Sequence, residues 1–308
     1  MTGRDYILGY RDSLLQQYRD AGLSGDDYAI VAAMTLGDKT ALTHEVRETY
    51  NASGASHVLA LSGLHLSIIY MLLTTIIPGR RWRMASQLVT IVAIWAFALL
   101  TGLSPSIVRA AVMLTVYGLL SLGYREKASI RVLLFTAILM LLFNPQLIYS
   151  VSFQLSFTAV LGILLFMPLL YGLIAPHILQ RHTLLKWLWG MLTVSTSAQI
   201  GVAPLIAFYF HRLPVWFLLS NFVVVPCAYI ILIGGLLLLL THISLFASVL
   251  STTVGLMNTT LQHIASLPGA SIAQLYPTRL QVALIYVVIA CVYIIFRTFA
   301  RQHRRITI

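Results

Sequence analysis

Apolar stretches long enough to cross a bilayer recur along the chain from residue 57 almost to its end. A membrane-spanning helix needs about 20 predominantly apolar residues. The stretches lie at roughly 57–77, 86–103, 106–122, 130–143, 151–174, 187–209, 215–241, 243–265 and 279–297. This pattern predicts an all-α polytopic membrane protein with eight or nine transmembrane helices, because the stretch at 243–265 is polar enough to lie along the surface instead.

The first 50 residues have a different pattern, in which apolar residues recur at helical spacing opposite charged ones. Ile7, Tyr10, Leu14 and Tyr18 form such a stripe. Ser24, followed by two aspartates, has the character of an N-cap that begins a second helix running to Gly37. We interpret this part as short amphipathic helices on or beside the membrane. A solvated helical extension that packs on a partner domain is the alternative.

These changes of pattern predict three parts of the chain. Residues 1–56 form an N-terminal interfacial or extracytoplasmic helical segment, residues 57–298 form the membrane domain, and residues 299–308 form a basic tail.

Composition and charge narrow the class of protein. Apolar residues make up 59% of the chain and charged residues only 9%, which is typical of an integral membrane protein. Beyond residue 50 the only acidic residue is Glu126, against an excess of Lys and Arg. Carriers coupled to protons or sodium usually place Asp or Glu near the bilayer midplane. The charge balance therefore favours handling of a polyanion over handling of a cation.

The same bases predict the orientation. When the sides of the membrane are alternated along the predicted helices, most Lys and Arg residues fall on one face. They are Arg80, Arg81, Arg83, Arg125, Lys127, Arg131, Arg181, Lys186, Arg297, Arg301, Arg304 and Arg305. By the positive-inside rule the C-terminus is cytoplasmic and the first 50 residues lie outside.

Several of the predicted helices contain polar and helix-breaking residues together. A break inside the hydrocarbon region frees backbone N–H and C=O groups, which only surrounding protein or a water-filled cavity can satisfy. The recurrence of such breaks predicts a cavity or pore. The clusters are Ser62-Gly63, Thr101-Gly102 with Ser104-Pro105-Ser106, Asn144-Pro145, Gln199 with Gly201 and Pro204, and Asn221 with Pro226.

Polar side chains inside the predicted spans indicate two uses. Ser and Thr residues flanking Gln154 and preceding Gln199 form polar faces. Uncharged donors suit a path for a phosphate backbone, and they equally suit hydrogen bonding between helices. Arg109 differs from the loop bases because it begins a predicted span. A cation there needs a partner, water or a substrate anion, so we predict a functional role for Arg109.

Enzyme and metal chemistry are not favoured by the polar residues of the first span. Ser62 and His65 are three residues apart, and adjacent turns of one helix seldom aim a histidine nitrogen at a serine oxygen. His57 and His65 lack a plausible third metal ligand. We therefore expect no catalytic residues, no metal and no cofactor. Cys227 and Cys291 are interpreted as small hydrophobic residues and not as a disulfide.

The segment "LGDKTALTHEVRETYNASGASHVLALSGLHLSII" resembles the entry motif of the ComEC-type competence family. In that motif a Gly-Asp pair and a helix precede His, Leu-Ala and Ser-Gly-Leu-His, which correspond here to Gly37-Asp38, His57, Leu59-Ala60 and Ser62 to His65. Three later blocks agree in order: "TGLSPSIVRAAVM", "NPQLIYSVSFQLSFTAVLGI" and "PLIAFYFHRLPVWFLLSNFVVVP". The resemblance covers roughly residues 36 to 226.

The resemblance implies an inner-membrane channel that carries single-stranded DNA into the cytoplasm during natural transformation. The breaks and the motif residues together define the predicted substrate path. Its residues are His57, Ser62, Gly63, His65, Gly102, Arg109, Gln154, Gln199, Asn221 and Pro226.

The resemblance also implies partners. Family members often carry an OB-like domain and a metallo-β-lactamase-like domain, and the chain shows neither that metal motif nor a G-x-x-x-x-G-K-[ST] nucleotide-binding motif. We therefore expect the DNA receptor, a helicase-like motor and any nuclease to be separate proteins, in addition to the lipid bilayer and a possible homo-oligomer. The rival interpretations are a transporter of another anionic solute or lipid-linked molecule, a non-conducting scaffold, and an intramembrane protease.

Overall fold

The computed structural model describes residues 3–76, 83–123 and 130–306, and these residues are almost entirely helical, which confirms the predicted all-α class. Two three-residue strands, β1 (Arg212–Pro214) and β2 (Ser271–Ala273), and a 3-10 helix at Pro145–Tyr149 complete the secondary structure. The helices are α1 (Gly3–Asp20), α2 (Gly25–Leu36), α3 (His44–Ser53), α4 (Ser56–Leu59), α5 (Gly63–Ile76), α6 (Arg83–Leu100), α7 (Pro105–Gly123), α8 (Ile130–Phe143), α9 (Val151–Tyr171), α10 (Pro176–Arg181), α11 (Thr183–Phe210), α12 (Phe217–Thr241), α13 (Ser244–Ser266) and α14 (Arg279–Ile306).

The chain forms two compact units. Unit 1 comprises Met1–Ala128 with Val223–Ala270, and unit 2 comprises Ser129–Phe222 with Ser271–Ile308. Unit 1 therefore holds α1 to α7, most of α12, and α13. Unit 2 holds α8 to α11, the start of α12, and α14.

The second helix of unit 1 is enclosed by protein and does not lie on a surface. It begins after Ser24 and ends at Gly37, as predicted, and Gly37 adopts the left-handed conformation (φ 75°) that terminates helices. Every residue from 28 to 36 is buried. Of the stripe predicted in α1, Leu14 and Tyr18 are buried and Tyr10 is exposed, and the Tyr18 hydroxyl donates to Thr35 Oγ1 on α2 at 3.0 Å. The N-terminal helices thus share one buried core with α12 and α13.

Helix α13 covers the other side of α2 and α3. Its buried apolar residues recur at helical spacing: Leu250, Val254, Met257, Leu261 and Ile264. Its polar side faces the N-terminal helices in two places. Ser251 donates to the carboxylate of Asp27, and the Tyr50 hydroxyl donates to Asn258 Oδ1 at 2.7 Å. Two of the polar residues that distinguish this stretch in the sequence, Ser251 and Asn258, therefore form hydrogen bonds within unit 1.

Unit 2 is built around a close crossing of α9 and α11. A Cβ on Gly162 would lie 2.5 Å from the Ser197 carbonyl oxygen and 3.1 Å from Gly201 Cα. The two backbones meet because neither glycine has a side chain. Helix α14 joins them through the Tyr286 hydroxyl, which donates to the Gly201 carbonyl at 2.8 Å. Strands β1 and β2 pair antiparallel, with Leu213 opposite Ile272.

Four helices in the described part of the chain are long and apolar enough to cross a membrane. These segments are Val151–Tyr171, Thr183–Phe210, Phe217–Thr241 and Arg279–Thr298. Shorter apolar helices lie at Gly63–Thr75, Met84–Leu100, Pro105–Leu120 and Ile130–Phe143. The chain is thus a membrane protein, and the count of eight or nine spans stays a prediction. Four bases behind the predicted orientation lie outside the described residues: Arg80, Arg81, Arg125 and Lys127.

Two of the predicted helix breaks are wrong. Helix α11 runs without interruption through Gln199, Gly201 and Pro204, and α12 does so through Asn221 and Pro226. A membrane helix accommodates proline when its neighbours satisfy the freed carbonyl. Gly201 is explained by the crossing with α9. The cluster Asn144-Pro145 does end a helix, and Asn144 Oδ1 caps the 3-10 helix by accepting the Gln146 N–H at 3.1 Å.

Candidate functional site

Two interruptions of helical backbone lie in unit 1. Helix α4 ends at Leu59 and α5 begins at Gly63, which confirms the predicted break, and residues 101–104 form the turn from α6 to α7. Gly37 links them, because its Cβ would lie 2.7 Å from Leu61 Cδ1 and 3.3 Å from the Thr101 carbonyl oxygen. We call residues 60–62, residues 101–104, and the side chains at the beginning of α5 and α7 the helix-break layer.

The break before α5 is held by a reciprocal cap between Ser62 and His65. The Ser62 backbone N–H donates to His65 Nδ1 at 3.2 Å, and the His65 N–H donates to the Ser62 carbonyl at 3.1 Å. The bond from the Ser62 N–H to the side chain three residues on is half of a capping box, with histidine at the position usually held by Glu or Gln. The Ser62 hydroxyl also lies 3.2 Å from Nδ1. The expectation that this histidine would not reach the serine is therefore wrong, because the ring turns back over the end of the helix.

The cap fixes which nitrogen of His65 carries the proton. A backbone N–H can only donate, so Nδ1 of the neutral ring must accept and the proton resides on Nε2. His65 is fully buried. Its Nε2 has no hydrogen-bond partner within the described part of the chain. A buried N–H donor without a partner is costly and uncommon, so it indicates strain or a group that is bound in another state.

The turn between α6 and α7 is closed by strained backbone. Gly102 and Leu103 both have positive φ, 80° and 53°, and the Leu103 N–H donates to the Ala98 carbonyl at 2.9 Å. A left-handed leucine is uncommon outside tight turns and functional sites. Ser104 precedes α7 directly, and its buried Oγ has no hydrogen-bond partner among the described residues. Ser104 was noticed in the sequence only as part of a break.

Helices α5 and α7 run in the same direction with their N-termini at the same end. A Cβ on Gly63 would lie 3.7 Å from Ala110 Cβ, and the rings of Tyr70 and Tyr117 pack edge to face at 6.3 Å. In both pairs the residue of α7 lies 47 positions after the residue of α5. Because this offset is the same in the two pairs, the helices run parallel and in register. The same offset places Arg109 at the level of Ser62.

Arg109 is buried at that level, with 3% of its surface exposed. Residues 49–125, which include α4 to α7, contain no Asp or Glu. Asp38 follows Gly37, the residue that packs against both breaks. Its carboxylate accepts the N–H and the hydroxyl of Thr40 at 3.1 and 2.9 Å. A guanidinium and the positive end of the α5 dipole thus occupy one level of the bundle.

The structure brings together only part of the predicted path. Ser62, Gly63, His65, Gly102 and Arg109 belong to the helix-break layer. His57 is exposed on α4, where its Nδ1 contacts the Gly54 carbonyl at 3.2 Å. The remaining residues lie elsewhere: Pro226 within α12 in unit 1, and Gln154, Gln199 and Asn221 in unit 2.

The polar residues of unit 2 differ in how they are satisfied. The Gln154 side chain donates to the Ile148 carbonyl at 2.8 Å and accepts from the Tyr209 hydroxyl at 2.8 Å, so it ties three elements together. In contrast, the buried Oδ1 of Asn221 has no partner among the described residues. The contacts of Gln154 fit the alternative of hydrogen bonding between helices. Asn221 thus has a hydrogen-bond acceptor that the described residues leave unsatisfied.

Residues 34–299 match the family model of the competence protein family. The chain belongs to this family. The helices α3 to α13 and the helix-break layer lie within the matched region, and α2 and α14 overlap its ends.

Three curated proteins resemble this competence protein. ComE operon protein 3 of Bacillus subtilis is 30% identical over 89% of the chain, and an uncharacterized protein of Aquifex aeolicus is 33% identical over 76%. The uncharacterized protein YcaI of Escherichia coli is 24% identical over 64% of the chain. The alignments cover 34%, 53% and 27% of these relatives, so the chain spans at most about half of their length. No solved structure matches the chain.

Proposed function

We propose that this competence protein is an inner-membrane channel through which single-stranded DNA enters the cytoplasm during natural transformation. The observation that carries the proposal is the helix-break layer. It places a buried arginine at the level of Ser62, where α5 begins, in a pair of parallel helices that contain no acidic residue. Family membership supports the same assignment.

The electrostatics of this layer favour a polyanion. Helix N-termini and a guanidinium both stabilise phosphate groups, and water-poor surroundings strengthen each interaction. DNA would gain further from counterion release. His65 and Arg109 are 0% and 3% exposed, so the described conformation is closed at this level. Passage of a strand therefore requires neighbouring helices to separate.

The membrane arrangement that we propose uses both groups of apolar helices. The four long spans, the four shorter apolar helices and the stretch at 243–265 make nine crossings, within the predicted eight or nine, and an odd number puts the two ends of the chain on opposite sides. The first 50 residues lie outside and the C-terminus lies in the cytoplasm. The shorter helices would need local thinning of the bilayer or tilt of their neighbours.

We further propose that the protein conducts and does not catalyse. Movement of the strand would then require separate proteins, namely a DNA receptor, a helicase-like motor and a nuclease that removes the other strand. The Ser62–His65 contact supports a cap instead of a catalytic pair, because the backbone N–H occupies the same ring nitrogen.

A transporter of another anionic solute or lipid-linked molecule is the second candidate. The closed helix-break layer favours it in one respect, since a single anionic group would need less opening than a polymer. Competition separates the two candidates. In a DNA channel, an excess of a small phosphorylated solute would leave uptake of the strand unaffected. In a transporter of such solutes, the unlabelled solute would block uptake of the labelled one.

The test is uptake of labelled single-stranded DNA in a transformable strain that lacks its own channel protein but retains its motor and nuclease. We expect the wild-type protein to make the strand resistant to external nuclease, with excess small phosphorylated solutes having no effect. Failure of uptake at normal membrane levels would contradict the channel. Uptake of a labelled small anion in its place would favour the transporter.

A further inference from the structure

We propose that the beginning of α5 forms a subsite for one backbone phosphate of the transported strand, with the Nε2–H of His65 as a donor. The inference rests on the proposed function and deepens it, because it assigns the ligand group and the donor atom.

The parallel register supplies the frame of the subsite. Gly63 lies against Ala110 and Tyr70 against Tyr117, so both helices present the same end of their dipole at one side of the layer. Each N-terminus carries backbone N–H groups that have no partner inside the helix. By this register the beginning of α5 lies beside Ala110, the sixth residue of α7, so the subsite is assigned to the α5 end, as in transporters whose half-helices point at a substrate carboxylate or ion.

The side chains at these two ends supply the second observation. His65 is fully buried, its ring lies over the beginning of α5, and its protonated Nε2 has no partner in the described structure. Ser104, directly before α7, has a buried hydroxyl oxygen that is likewise unsatisfied among the described residues. The Nε2–H of His65 can donate to a phosphate oxygen, whereas Ser104 lies five residues beyond the level of Ser62 by the same register and is not assigned to the subsite.

Charge at the same level selects an anion. Arg109 lies at the level of Ser62 by the register of the two helices, and α4 to α7 contain no carboxylate. A guanidinium at this position is favourable when an anion occupies the layer. A carboxylate ligand would satisfy the same donors, and phosphate is singled out because the proposed substrate presents one at every nucleotide.

The reciprocal cap gives a variant that separates the donor from the fold. Glutamate is the usual residue at the third position of a capping box, so His65→Glu keeps an acceptor for the Ser62 N–H. It removes the Nε2–H and places a carboxylate where the anion would bind. A residue with only a structural role would tolerate this change, whereas a phosphate donor would not.

The first measurement is thermal unfolding of the purified full chain with inorganic phosphate, against chloride at equal ionic strength. We expect phosphate to raise the unfolding temperature of the wild type and of the control Ser67→Ala, whose exposed hydroxyl donates to the Gly63 carbonyl. His65→Glu should unfold at least as high without phosphate and show no further rise. A phosphate effect that is absent in the wild type, or unchanged in His65→Glu, would overturn the subsite.

The second measurement identifies the strand as the source of the phosphate. Uptake of unmodified single-stranded DNA is compared with uptake of the same strand carrying a block of uncharged methylphosphonate linkages. We expect the neutral block to slow entry by about tenfold or more, since charge-assisted hydrogen bonds are lost at each step. Equal entry of both strands would overturn the inference while leaving the channel intact. No entry of either strand would contradict the proposed function, and the phosphate-dependent unfolding would then decide the subsite alone.

Discussion

At the scale of single residues, one histidine side chain has two separable tasks. His65 Nδ1 accepts the Ser62 N–H and so fixes where α5 begins, which leaves Nε2 protonated and without a partner in the described structure. The bond at Nδ1 contributes to the stability of the fold. The proton on Nε2 is available for the proposed phosphate. Substitutions that keep one and remove the other can therefore be compared.

His65→Ala removes the acceptor of the cap and should lower the stability of the protein by about 0.5–2 kcal/mol, the range for loss of an N-terminal cap. His65→Gln restores an acceptor at the capping-box position and should recover most of this loss. Thermal unfolding in detergent checks both, with Ser67→Ala as a neighbour on α5 that should change little. Equal stability of all three variants would show that the cap contributes nothing.

The spacing of Ser62 and His65 predicts that they are neighbours, but not that the ring folds back as an acceptor. That outcome depends on α5 beginning at Gly63, so that Ser62 is the cap and His65 the third residue. An uninterrupted helix from residue 57 would have pointed the same imidazole along its flank. Gly37 packs closely against Leu61 and Thr101 at this break, and such a long-range contact is not revealed by the local sequence.

At the scale of helices, glycine and proline in apolar segments have two opposite meanings. Gly63 and Gly102 lie at real interruptions, whereas Gly201, Pro204 and Pro226 lie inside continuous helices. The local sequence cannot separate these cases, because the deciding feature is what the neighbouring helix presents. Gly162 opposite Gly201 supplies it for α11.

Gly162→Ala should destabilise unit 2 by about 1–3 kcal/mol, since the added methyl group would meet the α11 backbone and force the helices apart. Gly190→Ala lies on α11 with no atom within 4 Å of its Cβ and should be neutral or slightly stabilising. Thermal unfolding of the two variants compares them directly. A Gly162→Ala protein as stable as Gly190→Ala would contradict the close crossing.

The N-terminal helices should lose stability at alkaline pH. Burial raises the pKa of Tyr18 and of Tyr50 above the usual value of 10.0, so each hydroxyl remains protonated longer in the folded protein than in the unfolded chain. Their contribution is complete below pH 10.0 and is lost as the pH rises above it. Unfolding temperatures measured across this range should fall more steeply for the wild type than for Tyr18→Phe. Parallel curves would contradict the burial of Tyr18.

At the scale of the whole molecule, the class and family could be predicted from the sequence, whereas the distribution of the site could not. Hydropathy alone specifies a membrane protein, and the motif residues specify the competence family. The predicted path assumed that every polar break faces one cavity. Gln154, Gln199 and Asn221 belong to unit 2, Gln154 is used in contacts between elements, and a shared path stays a prediction.

The proposed orientation makes a prediction for the complete protein. With Cys227 and Cys291 replaced by alanine, a cysteine at His44 should react with a membrane-impermeant maleimide in intact cells. A cysteine at Gln302 should react only after the membrane is opened. Labelling in the reverse order would place the two ends of the chain on the opposite sides.

The most direct measurement of the central claim is the rate at which labelled single-stranded DNA becomes protected in cells carrying Arg109 variants at matched membrane levels. Arg109→Gln should reduce the rate by about tenfold or more, and Arg109→Lys should retain part of it, because lysine keeps the charge without the fork of donors. Arg181→Gln, an exposed base at the end of α10, should behave as the wild type. Uptake by Arg109→Gln as fast as by the wild type would contradict passage of the strand through the helix-break layer.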